Sequence, residues 1–517
     1  MSNKMMMKYR LILSLLFGCM AWNGAAQEKP NILLILADDL GYSDIGSFGG
    51  EIPTPSLDAL AQSGIRLAQF YNHARCCPTR ASLLTGLDNH QTGIGNMTGE
   101  KESDPGLYGY TGVLNNDCVT IAEVLRTAGY HTYMTGKWHV AGPGGRVRAQ
   151  YPLRRGFDRY YGIIAGATNY FSPKGNSSIY SGNEIVTTDD PDFYTTNAFT
   201  DQALRFLKEQ NDDRPFFLYL AFNAAHMPLL APAADIEKMK SLYIEGWDVV
   251  RQKRMERIKQ LGLIPEQMPV ASSRLKPWTT LGAEKRTEEI KKMTTYAAMV
   301  HVMDRNIGRV MDYLKQSGKA ENTLIIYLSD NGATFHTDFW NLCNAPFSGR
   351  KRQTLEGGIA THAIVSWPQR IIAQKGKITQ VPADIIDVMP TILDITKAAY
   401  PATVGQHQIH PLEGRSLLPV LTSGRDTASR WFFWEHDNNY GVRNGSWKAV
   451  KLSGEKAWAL YNLKTDRGET KDLSDAYPDR LGELTGRWQK WADRHFVFPK
   501  PLAAQTDAGR KKNKRKR

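Results

Sequence analysis

The chain has 517 residues, 42% hydrophobic and 23% charged, a globular composition that excludes a low-complexity or disordered polypeptide and gives room for one large domain with a smaller companion. Its formal charge of +13 does not mark a nucleic-acid binder. Lys4, Lys8 and Arg10 carry three of those charges, the basic residues of 510–517 carry seven more, and the body between them keeps only +3.

Residues 1–26 read as a signal peptide. Lys4, Lys8 and Arg10 precede the apolar stretch 11–22, and Gly24-Ala25-Ala26 offers a small-residue cleavage site. The stretch is too short for a comfortable membrane span. Export implies a secreted or periplasmic protein. Leu16-Phe17-Gly18-Cys19 also resembles a lipoprotein box, although Phe17 fits it poorly, so an outer-membrane lipid anchor at Cys19 is the alternative and the only membrane partner expected.

The run 31–36 is continuously apolar, as a strand buried on both faces requires. Similar runs recur at 132–135, 216–222, 323–328 and 361–366, with helical patterns at 56–63, 120–128, 197–209 and 291–316. Alternating strands and helices predict an α/β fold, a large mostly parallel or mixed sheet sandwiched by helices over 27–425. Residues 233–295, charged and poor in strand signals, read as a helical insertion. From 426 to 505 the pattern changes to short strands at 431–436, 440–443, 446–452 and 458–463, with Asn444-Gly445 as a hairpin signal and a helix at 481–491. That is a small C-terminal antiparallel sheet plus helix, followed by a basic tail, 506–517, which reads as a solvated run.

Two buried strands end in acidic pairs, Asp38-Asp39 and Asp330-Asn331. Ligands bind beyond the carboxyl ends of strands in open α/β sheets. Three carboxylates and an amide oxygen gathered there would repel one another unless a divalent cation joined them. With oxygen ligands alone, calcium or magnesium suits the set better than zinc. Four cysteines remain outside the leader, too few for a disulfide scaffold, and Cys118 and Cys343 read as small buried hydrophobes. Cys76 and Cys77 precede Pro78, which is favoured at the first position of a helix and so places both thiols at a helix N-terminus, an anion site.

The string Cys76-Cys77-Pro78-Thr79-Arg80, followed by Leu84-Thr85-Gly86, resembles the signature of the sulfatase family. The resemblance runs from Pro30 to about Leu473. It includes the strand ending in Asp38-Asp39, Gly136-Lys137-Trp138-His139, Asn223-Ala224-Ala225-His226, Asp330-Asn331-Gly332, and Gly349-Arg350-Lys351 before Glu356-Gly357-Gly358. It implies that a maturation enzyme oxidises Cys76 to formylglycine (3-oxoalanine), whose hydrate offers one hydroxyl as nucleophile and a second to break the covalent intermediate. It implies a cation, calcium before magnesium, held by Asp38, Asp39, Asp330, Asn331 and the matured Cys76, which activates the nucleophile. Arg80 would orient the diol. Lys137 and Lys351 would hold sulfate oxygens. His226 and Lys351 would assist the leaving alcohol, and His139 would take a proton from the second hydroxyl.

Here the family's serine is Thr79, and the variable position is a second thiol, Cys77, with no assigned role. The expected substrate is a sulfated carbohydrate of a host or algal glycan, with the insertion and the segment from Trp434 to Asn438 as a polar rim for sugar hydroxyls. Two alternatives stand beside this reading. One is a phosphate or phosphonate monoester hydrolase; the other is a non-catalytic binder of sulfated glycans in which Cys76 is not matured.

Overall fold

The computed structural model describes residues 29–99, 103–334, 338–425 and 429–501. The expected signal peptide, the lipid-anchor position Cys19 and the basic tail lie outside these residues. Among the described residues, no helix is long and apolar enough to cross a membrane.

In chain order, the strands β1 (Asn31–Ala37), β2 (Ile65–Tyr71), β3 (His131–Lys137), β4 (Arg159–Ile163), β5 (Ile179–Ser181), β6 (Glu184–Val186), β7 (Phe216–Ala221), β8 (Thr323–Ser329), β9 (Ala360–Ser366), β10 (Ile378–Thr379) and β11 (Ala383–Asp384) form one sheet. Their order is β10-β2-β9-β8-β1-β7-β3-β4-β5-β6, with β11 beside β2. The centre, β8-β1-β7-β3-β4, is parallel. The sheet is mixed because β9 runs antiparallel to both β8 and β2, and β5 and β6 add an antiparallel edge.

Alternation along β1 divides the core between the two faces. Leu33 and Ile35 pack on one side with the helix Pro55–Ser63 and the long helix Ala283–Gln316; Ile32, Leu34 and Leu36 pack on the other with the helices Cys76–Thr85 and Ile121–Thr127. Burial on both faces is why these strands are continuous apolar runs. The long helix begins at Ala283 rather than at Lys291, because its first turns are charged and carry no apolar period. Across 233–295 the chain forms the helices Ala233–Met239 and Trp247–Gln260 and no strand.

After a short hairpin of β12 (Thr403–Val404) and β13 (His407–Gln408), the strands β14 (Trp431–His436), β15 (Asn439–Asn444), β16 (Trp447–Lys451) and β17 (Ala459–Asn462) form an antiparallel sheet. The helix Pro478–Arg494 covers it through Leu484, Trp488 and Trp491. Asn444 pairs with Trp447, so the tight turn is Gly445-Ser446, one residue later than Asn444-Gly445, with Gly445 at φ 58°.

Candidate active site

Parallel pairing of β1 with β8 sets Ala37 opposite Ser329. Asp38-Asp39 and Asp330-Asn331 therefore leave the carboxyl edge of the sheet side by side. Asp330 donates its backbone N–H to Ala37 O at 3.1 Å, and the Asp39 N–H donates to Asp330 Oδ1 at 3.2 Å. At φ 65°, Asp39 is a left-handed residue that ends the strand.

Three cations each hold one carboxylate. Lys137 Nζ lies 2.5 Å from Asp38 Oδ2, Lys351 Nζ 2.5 Å from Asp39 Oδ1, and Arg80 Nη2 2.9 Å from Asp330 Oδ2. The opposite oxygens, Asp38 Oδ1 and Asp39 Oδ2, are buried without a hydrogen-bond partner, and so is Asn331 Oδ1. Buried polar oxygens left in this way are costly. A hard divalent cation would satisfy all three at once, and the oxygen-only set fits calcium or magnesium. Crowding is visible in the electrostatics too. Burial and the neighbouring Asp38 push Asp330 up to about 7. Burial likewise raises Asp38, whereas Asp39, against its burial, is held below the ordinary carboxylate range by Lys351 and His226.

Cys76 is the first residue of its helix and Pro78 the third, two positions later than the proline rule places it; a proline there still replaces an N–H that has no partner within the helix. A hydrogen bond with Cys77 is the leading cause that holds the Cys76 thiol well below its ordinary value. Burial opposes it, and Lys137, Lys351 and His139 reinforce it. Cys77 is pushed the other way, chiefly by burial. The sulfur of Cys76, that of Cys77 and a ring nitrogen of His139 lie within 4.8 Å of one another.

Arg80 sits one turn along the helix and is fully buried, but its described hydrogen bonds go to Asp330 and to Lys137 O, not to Cys76. It joins the acidic pair to the end of β3. Burial pushes His139 down to about 4 against the pull of Cys76, and Lys137 and Arg80 lower it further. His226 is pushed to about 4 by burial against Asp39, with Lys351 and Lys137 adding to the effect. Both imidazoles are therefore neutral near pH 7. His226 Nδ1 lies 2.7 Å from Met227 O, so it carries the proton, and Nε2 lies 3.7 Å from Asp39 Oδ2.

The structure thus brings together all the residues proposed from the sequence: Asp38, Asp39, Cys76, Arg80, Lys137, His139, His226, Asp330, Asn331 and Lys351. Cys76, His139, His226 and Lys351 line a cavity of about 410 Å³, with Arg75, Gly166 and Arg352 among its other walls. None of the described lining residues belongs to the insertion, and Trp434, Glu435 and His436 are buried structural side chains. Asp437, bound to Arg75 and Arg352, carries that segment to the cavity's edge, and His436 Nε2 lies 3.3 Å from Arg75 Nη1 behind it. Sequence reasoning missed Gly166, Arg352 and Tyr170, whose hydroxyl donates to Asn223 O and His226 O. Arg352 stands beside Lys351 in a matched motif, which was the one available signal.

Cys118 and Cys343 are buried free thiols, Cys118 raised by burial to about 11.

Comparison with known proteins places the chain as a whole. The model of the Sulfatase family matches 30–398, and that of N-sulphoglucosamine sulphohydrolase, C-terminal, matches 349–483. An uncharacterized sulfatase of Schizosaccharomyces pombe is 35% identical over 91% of this chain and 94% of its own. The Arylsulfatase of Klebsiella aerogenes is 35% identical over 77% of this chain and 93% of its own. Among solved structures, Ps i-CgsB in complex with k-i-k-neocarrahexaose superposes with a TM-score of 0.70 at 27% identity, covering 90% of this chain and 93% of that one. The chain belongs to the sulfatase family and is a sulfuric ester hydrolase.

Proposed function

We propose that the protein cleaves the S–O bond of sulfated carbohydrates with the hydrate of a formylglycine made from Cys76, beside a calcium ion held by Asp38, Asp39, Asp330 and Asn331. The observation that carries this reading is the set of three unpartnered, buried oxygens in the same cluster as a thiol held well below its ordinary value, first by its hydrogen bond with Cys77 and then by Lys137 and Lys351. When bound, the cation would lower the pKa of an attacking hydroxyl and neutralise sulfate charge. The hydrate supplies two hydroxyls, so no external water is needed at a crowded sulfur.

This chain's own groups do the rest. Lys137 and Lys351, now paired with Asp38 and Asp39, bind sulfate oxygens and compensate the charge that moves to the bridging oxygen. His139, neutral and near Cys76, accepts a proton from the second hydroxyl. His226 presents Nε2 to the leaving oxygen; an anionic ester beside it draws its pKa back toward the imidazole range, so it can deliver the proton, with Lys351 as the fixed cation. Arg80 holds Asp330 in place. The complex of Ps i-CgsB with an oligosaccharide supports a glycan substrate. The leader's charge and apolar pattern support export to the periplasm or beyond.

The decisive measurements are peptide mass spectrometry across Cys76 and parallel kinetics on nitrophenyl sulfate and nitrophenyl phosphate. Matured protein should be about 18 Da lighter at that peptide, the exchange of a thiol for an aldehyde carbonyl. Cys76→Ala should lose all turnover while keeping its fold. A phosphate preference, or full activity in the alanine variant, would overturn the reading.

A further inference from the structure

Arg75, Lys351 and Arg352 line the active-site cavity together with His139 and His226, and no aspartate or glutamate lines it among the described residues. Lys351 is engaged by Asp39. Arg352 is differently placed. Its Nε donates to Asp437 Oδ2, while its two Nη groups have no partner among the described residues.

The backbone that carries Arg352 is fixed on both sides. Its N–H donates to Ala74 O at 2.7 Å, and its carbonyl accepts from Asn439 Nδ2 at 3.0 Å. It sits at φ 79°, and Ala74 (φ 61°), Asp437 (φ 50°) and Asn438 (φ 62°) are left-handed beside it. With Asp39 and His139 these make six of the nine left-handed non-glycine residues described in the chain. Each such residue is strained and persists where its surroundings over-determine it, which is typical of ligand clamps. Asp437 is itself held, with Arg75 Nη1 and His436 Nε2 each 3.3 Å from its Oδ2. Arg352 is therefore an aimed side chain rather than a loose surface arginine.

The geometry points to Arg352 as a specificity-determining residue whose Nη pair binds a second anionic group, a carboxylate or a second sulfate, carried by the leaving alcohol. The inference rests on the sulfatase reading above and extends it to substrate class. A guanidinium offers two parallel donors that match a carboxylate or sulfate edge, whereas a lone hydroxyl engages only one. A neutral sugar closing this cavity would leave those donors desolvated and unpaired. Arg352 follows Lys351 directly, and neighbouring Cα atoms lie about 3.8 Å apart, so the second anion belongs on the same sugar ring as the scissile ester or on its neighbour.

The test is calorimetric and needs no turnover. Cys76→Ala protein is titrated with hexose monosulfates, and with hexose disulfates and sulfated uronic acids of matched stereochemistry. At least one dianion class should bind roughly 10- to 100-fold tighter than its monoanion, the range of one charged bidentate contact. R352Q should bring that ratio close to one. R352K, which keeps the charge but loses the fork, should give an intermediate ratio and shows that the loss is not misfolding; unchanged melting temperatures support the same point. Equal affinities in the Cys76→Ala protein, or a preference that survives R352Q, would overturn the assignment. A protein that binds dianions tightly by way of Arg352 yet never hydrolyses a sulfate ester when matured would leave the assignment standing and sink the catalytic reading. Binding of neither class would overturn both.

Discussion

Gly166 faces His139 so closely that an added β-carbon would lie 2.4 Å from both Cε1 and Nε2 of the imidazole. The His139 backbone is itself left-handed, at φ 62°, with its N–H donating to Ile164 O at 3.1 Å. The ring is thus set from its own backbone on one side and covered by a bare backbone on the other. Gly166→Ala has to displace the ring, the main chain after β4, or both. A displacement of about 1 Å at a proton-transferring group costs on the order of 100-fold in rate. We expect kcat on nitrophenyl sulfate to fall by about that factor with KM changed far less, since His139 is assigned to a proton and not to the sulfate. A loss carried mainly by KM would mean that Gly166 shapes the binding wall instead. The metal cluster makes a separate prediction at this scale. Chelation by EGTA should lower the melting temperature of matured enzyme and of Cys76→Ala protein alike, and calcium should restore it, because a ligand bound only by the folded state stabilises that state. A melting temperature indifferent to both would count against a cation at Asp38, Asp39 and Asn331.

At the scale of elements, the turn that carries Asp38 and Asp39 is braced from the helix Trp247–Gln260. Arg254 is buried there and donates to Asp44 Oδ1 at 2.9 Å, to Leu342 O at 3.0 Å and to Glu51 Oε1 at 2.7 Å. The second oxygen of Asp44 accepts from Gly41 N at 2.8 Å and from the Tyr296 hydroxyl at 2.6 Å. One arginine thus ties an otherwise peripheral helix to the loop that leaves the acidic pair. Removing one partner of a buried ion pair costs about 3–5 kcal/mol, because the remaining charge stays buried. Arg254→Ala should lose stability of that order in urea unfolding and should also weaken calcium binding; a variant within about 1 kcal/mol of the parent would show the brace to be dispensable. This link joins residues about two hundred positions apart, and nothing local in the sequence announces it. The acidic pairs were legible because each closes an unbroken apolar strand. β2 was not, since Arg66 and Gln69 interrupt its apolar pattern and both are only partly buried in the sheet. Strand order, and hence the pairing of β1 with β8 that brings the two acidic pairs together, depends on long-range packing. Arg352 was missed for the same reason, since Asp437, which holds it, lies 85 positions away.

At the scale of the whole molecule, the C-terminal sheet docks on the large domain through a chain of buried charges. His73 Nε2 lies 3.4 Å from Asp384 Oδ1 and its Nδ1 3.9 Å from Asp88 Oδ2, while His90 bridges Asp88 and Glu435 of β14 at 3.0 Å each. Lys500 closes the chain on Glu435 at 2.5 Å. Although burial works against it, hydrogen bonding to Asp384 and the charges of Asp384 and Asp88 raise His73 to about 9, and His90 is raised by Asp88 and Glu435. Against their own burial, Asp88 is lowered to about 2 by His90 and His73, and Glu435 to about 2 by Lys500 and His90. The signs follow from linkage. The histidines, bound more tightly to their protons in the folded state, contribute fully below about pH 6.5, and that of His73 is lost as pH rises toward 9. The carboxylates contribute fully above about pH 4 and lose that contribution as pH falls toward 2. All four act together only in mildly acidic solution, so the stability that this junction adds, read as the difference in melting temperature between the parent and a variant that breaks the chain, should be greatest between about pH 4.5 and 6.5 and decline from there to pH 9. His73→Gln, which removes the titrating ring but keeps a hydrogen-bonding side chain, should lower stability at pH 6 and flatten the decline above it. A decline equally steep in that variant would place the pH-sensitive charge elsewhere than at this domain junction.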